Sequence, residues 1–280
     1  MSDQVAKIER FVALHGATAP LLLPNPWDAG SARLLAASGF EALATTSGGF
    51  AATLGRLDGS VTRDEALAHA AVIVAATDLP VSADLENGFA DAPGDVAETI
   101  GLAIGTGLAG CSVEDFTGRA EDPIYDVGLA VERMSAAADA AHRDGSRFVL
   151  TGRAENYLHG RQDLQDTITR LQAYQDAGAD VLYAPGLTDL EDIRTLVAAV
   201  DRPVNVLALP GCPPVADLAA AGVHRISVGS AFAYAAFGAV VEAARELSEE
   251  GTYGFWTGAM TGARESRAAF APASGSNDGP

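Results

Sequence analysis

Residues 148–185 read FVLTGRAENYLHGRQDLQDTITRLQAYQDAGADVLYAP. FVLTGR (148–153) and DVLYAP (180–185) are short runs of mostly apolar residues, and LQDTITRLQAYQDAG (164–178) between them repeats at the helical period. Ala177-Gly178 places a glycine where a helix has to stop before the chain turns into a strand. The two β-like segments are runs rather than alternations, the pattern of parallel strands buried on both faces. The stretch predicts one βαβ unit.

The same unit recurs on both sides. Further β-like runs are LLLP (21–24), ALAT (42–45), PVSAD (80–84), GCSVED (110–115), PVNVLA (203–208) and HRISVG (224–229), which makes eight. Helical stretches at 64–76, 96–107 and 190–200 lie between them, with Gly39, Gly107 and Gly222 as further helix stops, and a helix at about 3–15 precedes the first strand. Eight βα units predict a (β/α)₈ barrel of the TIM type. A doubly wound open sheet is the alternative, but no GxGxxG follows the first strand. The chain has 280 residues, a length that suits one such barrel, so residues 1–263 are read as a single domain with an N-terminal helix and C-terminal helices. Residues 264–280, RESRAAFAPASGSNDGP, are small, polar and rich in Pro and Gly, and are read as a flexible tail.

Composition removes several function classes. The net charge is −19, which repels nucleic-acid backbones and anionic lipid. No apolar run is long enough to span a bilayer and no secretory leader is visible, so the expectation is a cytoplasmic protein with neither nucleic-acid nor membrane partners. Cys111 and Cys212 are too few for a disulfide scaffold, and Cys111 reads as a core thiol. Lys7 is the single lysine, and it precedes the first strand. Schiff-base and pyridoxal-phosphate chemistry and a Walker loop all need a lysine at the site, so all three are disfavoured. The five histidines are scattered, with no zinc spacing; any metal is expected to be a hard cation on carboxylates.

In a barrel, the carboxyl ends of the strands converge on one mouth. Those ends supply Asn25, Trp27 and Asp28; Thr46, Ser47, Gly48 and Gly49; Asp84 and Glu86; Glu114 and Asp115; Arg153 and Glu155; Tyr183; Asn205; and Ser227 with Gly229. Asp58 lies farther along the loop after the second strand. So many acids at one mouth would raise one another's pKa unless a cation joins them, and Mg²⁺ is the ion that keeps several waters while doing so. Arg153 reads either as an anion site or as an ion pair with Glu155. Ser47-Gly48-Gly49 reads either as a tight turn or as a backbone N–H cradle for a carboxylate. Trp27 is either a lid on the core or a pocket wall, and His159 reads as a loop histidine.

The ordered motifs PNPWDAGSARLLAASGFEALATTSGGFAATLGRLD, PVSADLENGFAD, AGCSVEDF, FVLTGRAEN, GADVLYAPG and PVNVLALPG resemble the isocitrate lyase / phosphoenolpyruvate mutase superfamily over about residues 8–245. The resemblance implies a (β/α)₈ barrel with its eighth helix swapped between subunits, hence a homodimer or homotetramer. It implies Mg²⁺, with Mn²⁺ as a substitute, and small 2-oxo or 2-hydroxy carboxylates reacting through an enolate. Carried over by position, Asp84 would be the direct metal ligand, and Asp58, Glu86 and Glu114 would hold metal-bound waters. Ser47, Gly48 and neighbouring N–H groups would bind the substrate carboxylate, with Trp27, Thr46, Gly49 and Asn205 around it, and Arg153 would stabilise an anionic oxygen. Glu86 stands where the family usually has Asp.

The departures narrow the chemistry. The loop after the fourth strand reads DFTGRAEDPIYD, without the Cys, Lys and His of the isocitrate and methylisocitrate lyases and without the Lys and Asn-Ser of the mutase branch. Thr45 or Thr46 stands in place of a lyase tyrosine, and Ala184-Pro185 in place of a strand 6 acid or histidine. Metal and enolate machinery remain, which leads to the expectation of a Mg²⁺-dependent carbon–carbon lyase, either a decarboxylase or a retro-aldol enzyme. Glu155 and Tyr183 are then the candidates for acid–base work beside Arg153. The alternatives are a P–C bond enzyme of the phosphonopyruvate type and a 2-oxo acid binding protein with little catalysis.

Overall fold

The computed structural model describes residues 3–271. Its strands are β1 (Leu21–Leu23), β2 (Leu43–Ala44), β3 (Val81–Asp84), β4 (Gly110–Glu114), β5 (Val149–Arg153), β6 (Val181–Tyr183), β7 (Val204–Leu207) and β8 (Arg225–Ser227). Every strand pair is parallel, in the order β1-β8-β7-β6-β5-β4-β3-β2. The Ala44 N–H donates to Pro24 O at 3.1 Å and joins the two remaining edges, so the sheet closes on itself. This is the (β/α)₈ barrel the sequence predicts.

The helices are α1 (Asp3–His15), α2 (Ala29–Ala37), α3 (Ser47–Thr53), α4 (Arg63–Ala75), α5 (Pro93–Ile104), α6 (Val127–Ala141), α7 (Leu164–Asp176), α8 (Leu190–Ala199), α9 (Val215–Ala220), α10 (Ala231–Arg245) and α11 (Trp256–Phe270). The predicted helix stops hold: Gly39, Gly107, Gly178 and Gly222 have φ of 90°, 89°, 106° and 83°, a region that strains any residue with a Cβ. Helix starts are equally local, since Asp28, Thr62, Asp126, Asp163 and Asp189 each accept a backbone N–H of the first turn.

Two expectations need correction. Ser47-Gly48-Gly49 is not a bare turn but the first turn of α3, capped by Thr46, whose Oγ1 accepts from Gly49 N at 3.2 Å. The tail expected from residue 264 is helical as far as Phe270, within α11, which packs on α2 with Phe270 Cζ near Gly30. The rest of that stretch, 272–280, lies outside the described residues.

The core fills the layer between strands and helices, with Leu43, Ile73, Ile100, Leu150 and Leu171 fully buried and Cys111 among them. Helix α1 closes the end of the barrel opposite the mouth: Phe11 touches the position a Gly110 Cβ would take, at the start of β4. Lys7 lies on this helix and donates to Thr77 O at 3.1 Å, beyond the C-terminus of α4 and away from the mouth. Among the described residues, no helix is long and apolar enough to cross a membrane.

Candidate active site

Six strand ends, those of β2 to β7, assemble the site. From β5, Arg153 stands at its centre: its Nη1 donates to Asp84 Oδ1 at 2.8 Å, and its Nη2 lies 3.0 Å from Glu114 Oε2 and 2.7 Å from Glu155 Oε1. From β6, the Tyr183 ring packs 5.1 Å from the guanidinium carbon. The ion pair with Glu155 read from the sequence is present, and the same guanidinium also pairs with the two mouth acids. Burial alone would pull its guanidinium down, but Glu114, Glu155 and Asp84 together hold it well above the usual range.

Asp84, at the end of β3, also accepts from Ser47 N at 3.3 Å, which ties it to the start of α3. Glu86 follows in a left-handed conformation, φ 48°, unusual for a residue with a side chain. The structure around it maintains that strain: Glu114 N donates to Glu86 O at 2.9 Å, and the Arg133 guanidinium donates to Asn87 O, Ala90 O and Asp91 O across the same loop. Arg133 is a residue that sequence reasoning missed; it is 1 % exposed on α6 and carries no motif.

The acids show the crowding expected of them. Burial, with Asp84 and Asp58 nearby, pushes Glu86 up to about 8. Burial drives Glu114 well above the usual carboxylate range, with Glu155, Asp84 and Glu86 adding to it and Arg153 opposing. Asp58 is raised by burial and by Asp84, against a hydrogen bond from Ser47. One arginine does not balance the set. A hard divalent cation would fit the chemistry of these clustered carboxylates. Among the described residues no three acids, histidines or cysteines form a ready-made chelate, and an ion held mostly through its own waters does not require one.

A cavity of about 180 Å³ opens between these strand ends. Thr46, Ser47, Asp58, Asp84, Arg153, Tyr183 and Asn205 line it. Glu86 and Glu114 line an adjoining open cleft, with Asp58 shared between the two. Gly48 and Gly49 stand behind the lining, where close approach requires them: a Cβ on Gly48 would lie 2.7 Å from Ser230 Oγ and 3.0 Å from Asp58 Oδ2. Trp27 lines neither space; its carbonyl is bonded to His69 Nε2 at 2.9 Å, so it stands outside the lining rather than as a pocket wall. Glu155 is 2 % exposed behind Arg153, and His159 is stacked on Phe116 at 3.8 Å, 3.7 Å from Glu155 Oε2. Burial chiefly pushes the Tyr183 phenol up to about 12, so near neutrality it is a proton donor rather than a base.

Asp115, adjacent to Glu114, points the other way. It accepts from Tyr174 Oη at 2.6 Å, Arg170 Nη1 at 3.1 Å and Glu155 N at 2.8 Å, a closed structural network behind the mouth. Asn25 is the other residue whose function only the structure reveals. Its Oδ1 accepts from Val228 N and Gly229 N at 3.0 and 2.9 Å, and its Nδ2 donates to Thr45 O at 3.0 Å, pinning three strand ends together.

A family model described as phosphoenolpyruvate phosphomutase matches residues 11–248. A crystal structure from Burkholderia cenocepacia, provisionally described as a lyase/mutase, superposes with a TM-score of 0.94 at 54% identity, covering 97% of this chain and 98% of that one. An uncharacterised Mycobacterium tuberculosis protein is 35% identical over 85% of this chain and 89% of its own length. The 2-methylisocitrate lyase of Escherichia coli is 32% identical over 66% of this chain and 64% of its own. A barrel whose mouth gathers carboxylates around one arginine, matched over most of its length by that model, belongs to the isocitrate lyase / phosphoenolpyruvate mutase superfamily of lyases and mutases.

Proposed function

We propose that this chain is a Mg²⁺-dependent carbon–carbon lyase acting on a small 2-oxo or 2-hydroxy carboxylate through an enolate. The observation that carries the reading is the set of four carboxylates, Asp58, Asp84, Glu86 and Glu114, more than Arg153 can neutralise and beside a cavity of small-molecule size. When bound, the ion supplies Lewis-acid polarisation of the carbonyl next to the bond that breaks. Arg153 places a fixed positive charge where negative charge develops. Ser47 and the N-terminal turn of α3 orient the carboxylate. Tyr183, with its phenol held protonated, stands in the cavity wall as the proton donor to the new carbanion. Glu155 fixes the Arg153 plane through two bonds, Nε to Oε1 at 2.9 Å and Nη2 to Oε1 at 2.7 Å.

Decarboxylation of a β-keto acid needs little beyond this, whereas a retro-aldol step needs a base for the substrate hydroxyl. The test mixes protein and Mg²⁺ with oxaloacetate and with 2-methylmalate-type acids and follows pyruvate release. Turnover above the free-metal background supports the reading, and background rates on the whole panel remove it. One observation favours a second reading, a 2-oxo acid binder with little catalysis: among the described residues no Cys, Lys or His lines the cavity. Calorimetry showing tight Mg²⁺-dependent binding of an acid recovered unchanged would select it.

The same proposal includes a cytoplasmic homodimer or homotetramer exchanging its eighth helix. Its support is α10, where Ala233 is the one buried residue while Phe232, Tyr234, Val240 and Val241 face outward. Light scattering that gave a monomer mass would dismiss the exchange.

A further inference from the structure

The floor of the cavity carries a charge that the proposed reaction leaves unused. Barrel interiors are ordinarily filled by bulky branched side chains. Here Leu23 and Leu207 are joined by the small Ala44, Ser82, Ser112 and Ser227, and Arg225, at the start of β8 and so on the side away from the mouth, is part of the same cavity lining. Arg225 opens β8 and is 4 % exposed. Its Nε donates to Asn205 Oδ1 at 2.9 Å and its Nη2 to Thr151 Oγ1 at 3.1 Å. Its Nη1 lies 3.2 Å from His15 Nε2, and the His15 Nδ1 is bonded to Phe11 O at 2.8 Å, which leaves Nε2 as an acceptor on a neutral ring. Every partner is neutral. Arg153 and Arg170 rest on carboxylates, and Arg133 rests on three backbone carbonyls away from the cavity lining; among the described residues no carboxylate pairs with Arg225, which does line the cavity.

A buried cation without a counter-ion is costly to a protein, and an anion placed against it recovers part of that cost. Arg225 keeps its charge at neutral pH even though burial brings it down to about 10. Two of its five N–H donors remain beyond the three bonds named. The cavity that Arg225 lines, about 180 Å³ in all, is on the scale of a small acid.

We propose that the cavity floor is a second anion subsite, and that the substrate is a small dicarboxylate whose far carboxylate faces Arg225 across the serine-lined space. The proposal rests on the reading of the mouth as a 2-oxo acid site and adds which acids it takes. A 2-oxo monocarboxylate would leave the floor to water. Asn205 becomes a positioning residue: its Oδ1 orients Arg225 and its Nδ2 donates to Ser227 Oγ at 3.0 Å.

The experiment is calorimetric titration of the full chain with saturating Mg²⁺, using pairs that differ only in the far group: oxaloacetate against 2-oxobutyrate, and 2-oxoglutarate against 2-oxopentanoate. Oxalate, which has no far arm, is the reference ligand in each variant. A charge-assisted contact to Arg225 predicts that the dicarboxylate of at least one pair binds about 10- to 100-fold more tightly. Arg225→Met should bring that ratio close to one, and Arg225→Lys, which keeps the charge but loses the fork, should lower it without abolishing it. A ratio near one in the wild type overturns the proposal, as does a ratio that survives Arg225→Met in folded protein. If Arg225→Met does not fold, an unchanged ratio in Arg225→Lys overturns it instead. If oxalate itself fails to bind with Mg²⁺, the proposed function falls and the floor subsite with it; if oxalate binds and the ratios are flat, only the floor subsite falls.

Discussion

Replacing Asp84 by Ala separates the metal site from the fold. In the ion-free chain the substitution removes one charge-assisted bond from Arg153, at 2.8 Å, and the acceptors for Ser47 N and Glu86 N, each at 3.3 Å. The first is worth about 1.5–3 kcal/mol. Arg153 is not orphaned, because Glu114 and Glu155 remain on it at 3.0 and 2.7 Å. Glu86, Glu114 and Asp58 each lose a like charge that raises them, which offsets much of the cost. The balance is about 1 kcal/mol, or less than about 4 °C in Tm for a chain of this size. Mg²⁺ at one hundred times its Kd stabilises the wild type by about 2.7 kcal/mol, a rise of about 5–11 °C, and Asp84→Ala should show none of it. Thermal unfolding of both proteins with and without Mg²⁺ measures all four states. An equal Mg²⁺ response in the two would refute the assignment of Asp84 as ligand, and collapse of the ion-free variant would make the acid structural.

The acids also set a pH dependence: Glu86, held at about 8 in the folded chain against an ordinary 4.5, binds more proton folded than unfolded between those values. Metal-free stability should therefore fall as pH rises from about 4.5 to 8 and level off above, with Glu86→Gln flattening the decline; a metal-free Tm that climbs through this window would contradict it. Gly48→Ala should fold, with a loss of about 1–3 kcal/mol from overpacking, yet weaken Mg²⁺-dependent oxalate binding about 10- to 100-fold by displacing Asp58 and Ser230, and calorimetry with unchanged affinity would count against the close approach. Tyr174→Phe removes the 2.6 Å bond to buried Asp115 and should cost about 1–3 kcal/mol in urea unfolding while leaving oxalate affinity alone; lost affinity at full stability would place Asp115 in the site.

The barrel was legible because its determinants are local. Runs such as FVLTGR mark strands with both faces buried, and the four helix-stopping glycines sit at the positive φ that only glycine takes without strain. Helix α3 was not legible, since Ser-Gly-Gly has poor helical propensity and the helix exists for tertiary reasons. A Cβ on Gly49 would come within 2.5 Å of Thr46 Cγ2, so the closeness of the Thr46 cap, not propensity, selects the residue. The helical part of the predicted tail was hidden by the composition around it, and Phe270 gains its place only by meeting Gly30 on α2. Glu114 and Asp115 show the limit of strand reasoning: alternation says that they face opposite ways, but not which one faces the mouth. Arg133 and Arg225 carry no motif, and their partners, backbone carbonyls for Arg133, lie 20 to 210 residues away, information that periodicity does not contain.

The two arginines of the cavity divide the electrostatics between them. Arg153 is shared among Asp84, Glu114 and Glu155, so in the ion-free chain it already does for the mouth acids much of what a cation would do. On the proposed function, an ion on Asp84 would relieve Nη1 of that partner and leave more of the Arg153 charge for an incoming carboxylate. Arg225 has no such rival. Its partners are neutral, and its charge is present whether or not the acids above it are satisfied. On the proposed reading, a ligand with one carboxylate would meet a mouth that depends on the ion. A ligand with two would also meet a floor that does not, and the difference between those cases would be set by Arg225, a buried guanidinium that rests on no carboxylate among the described residues.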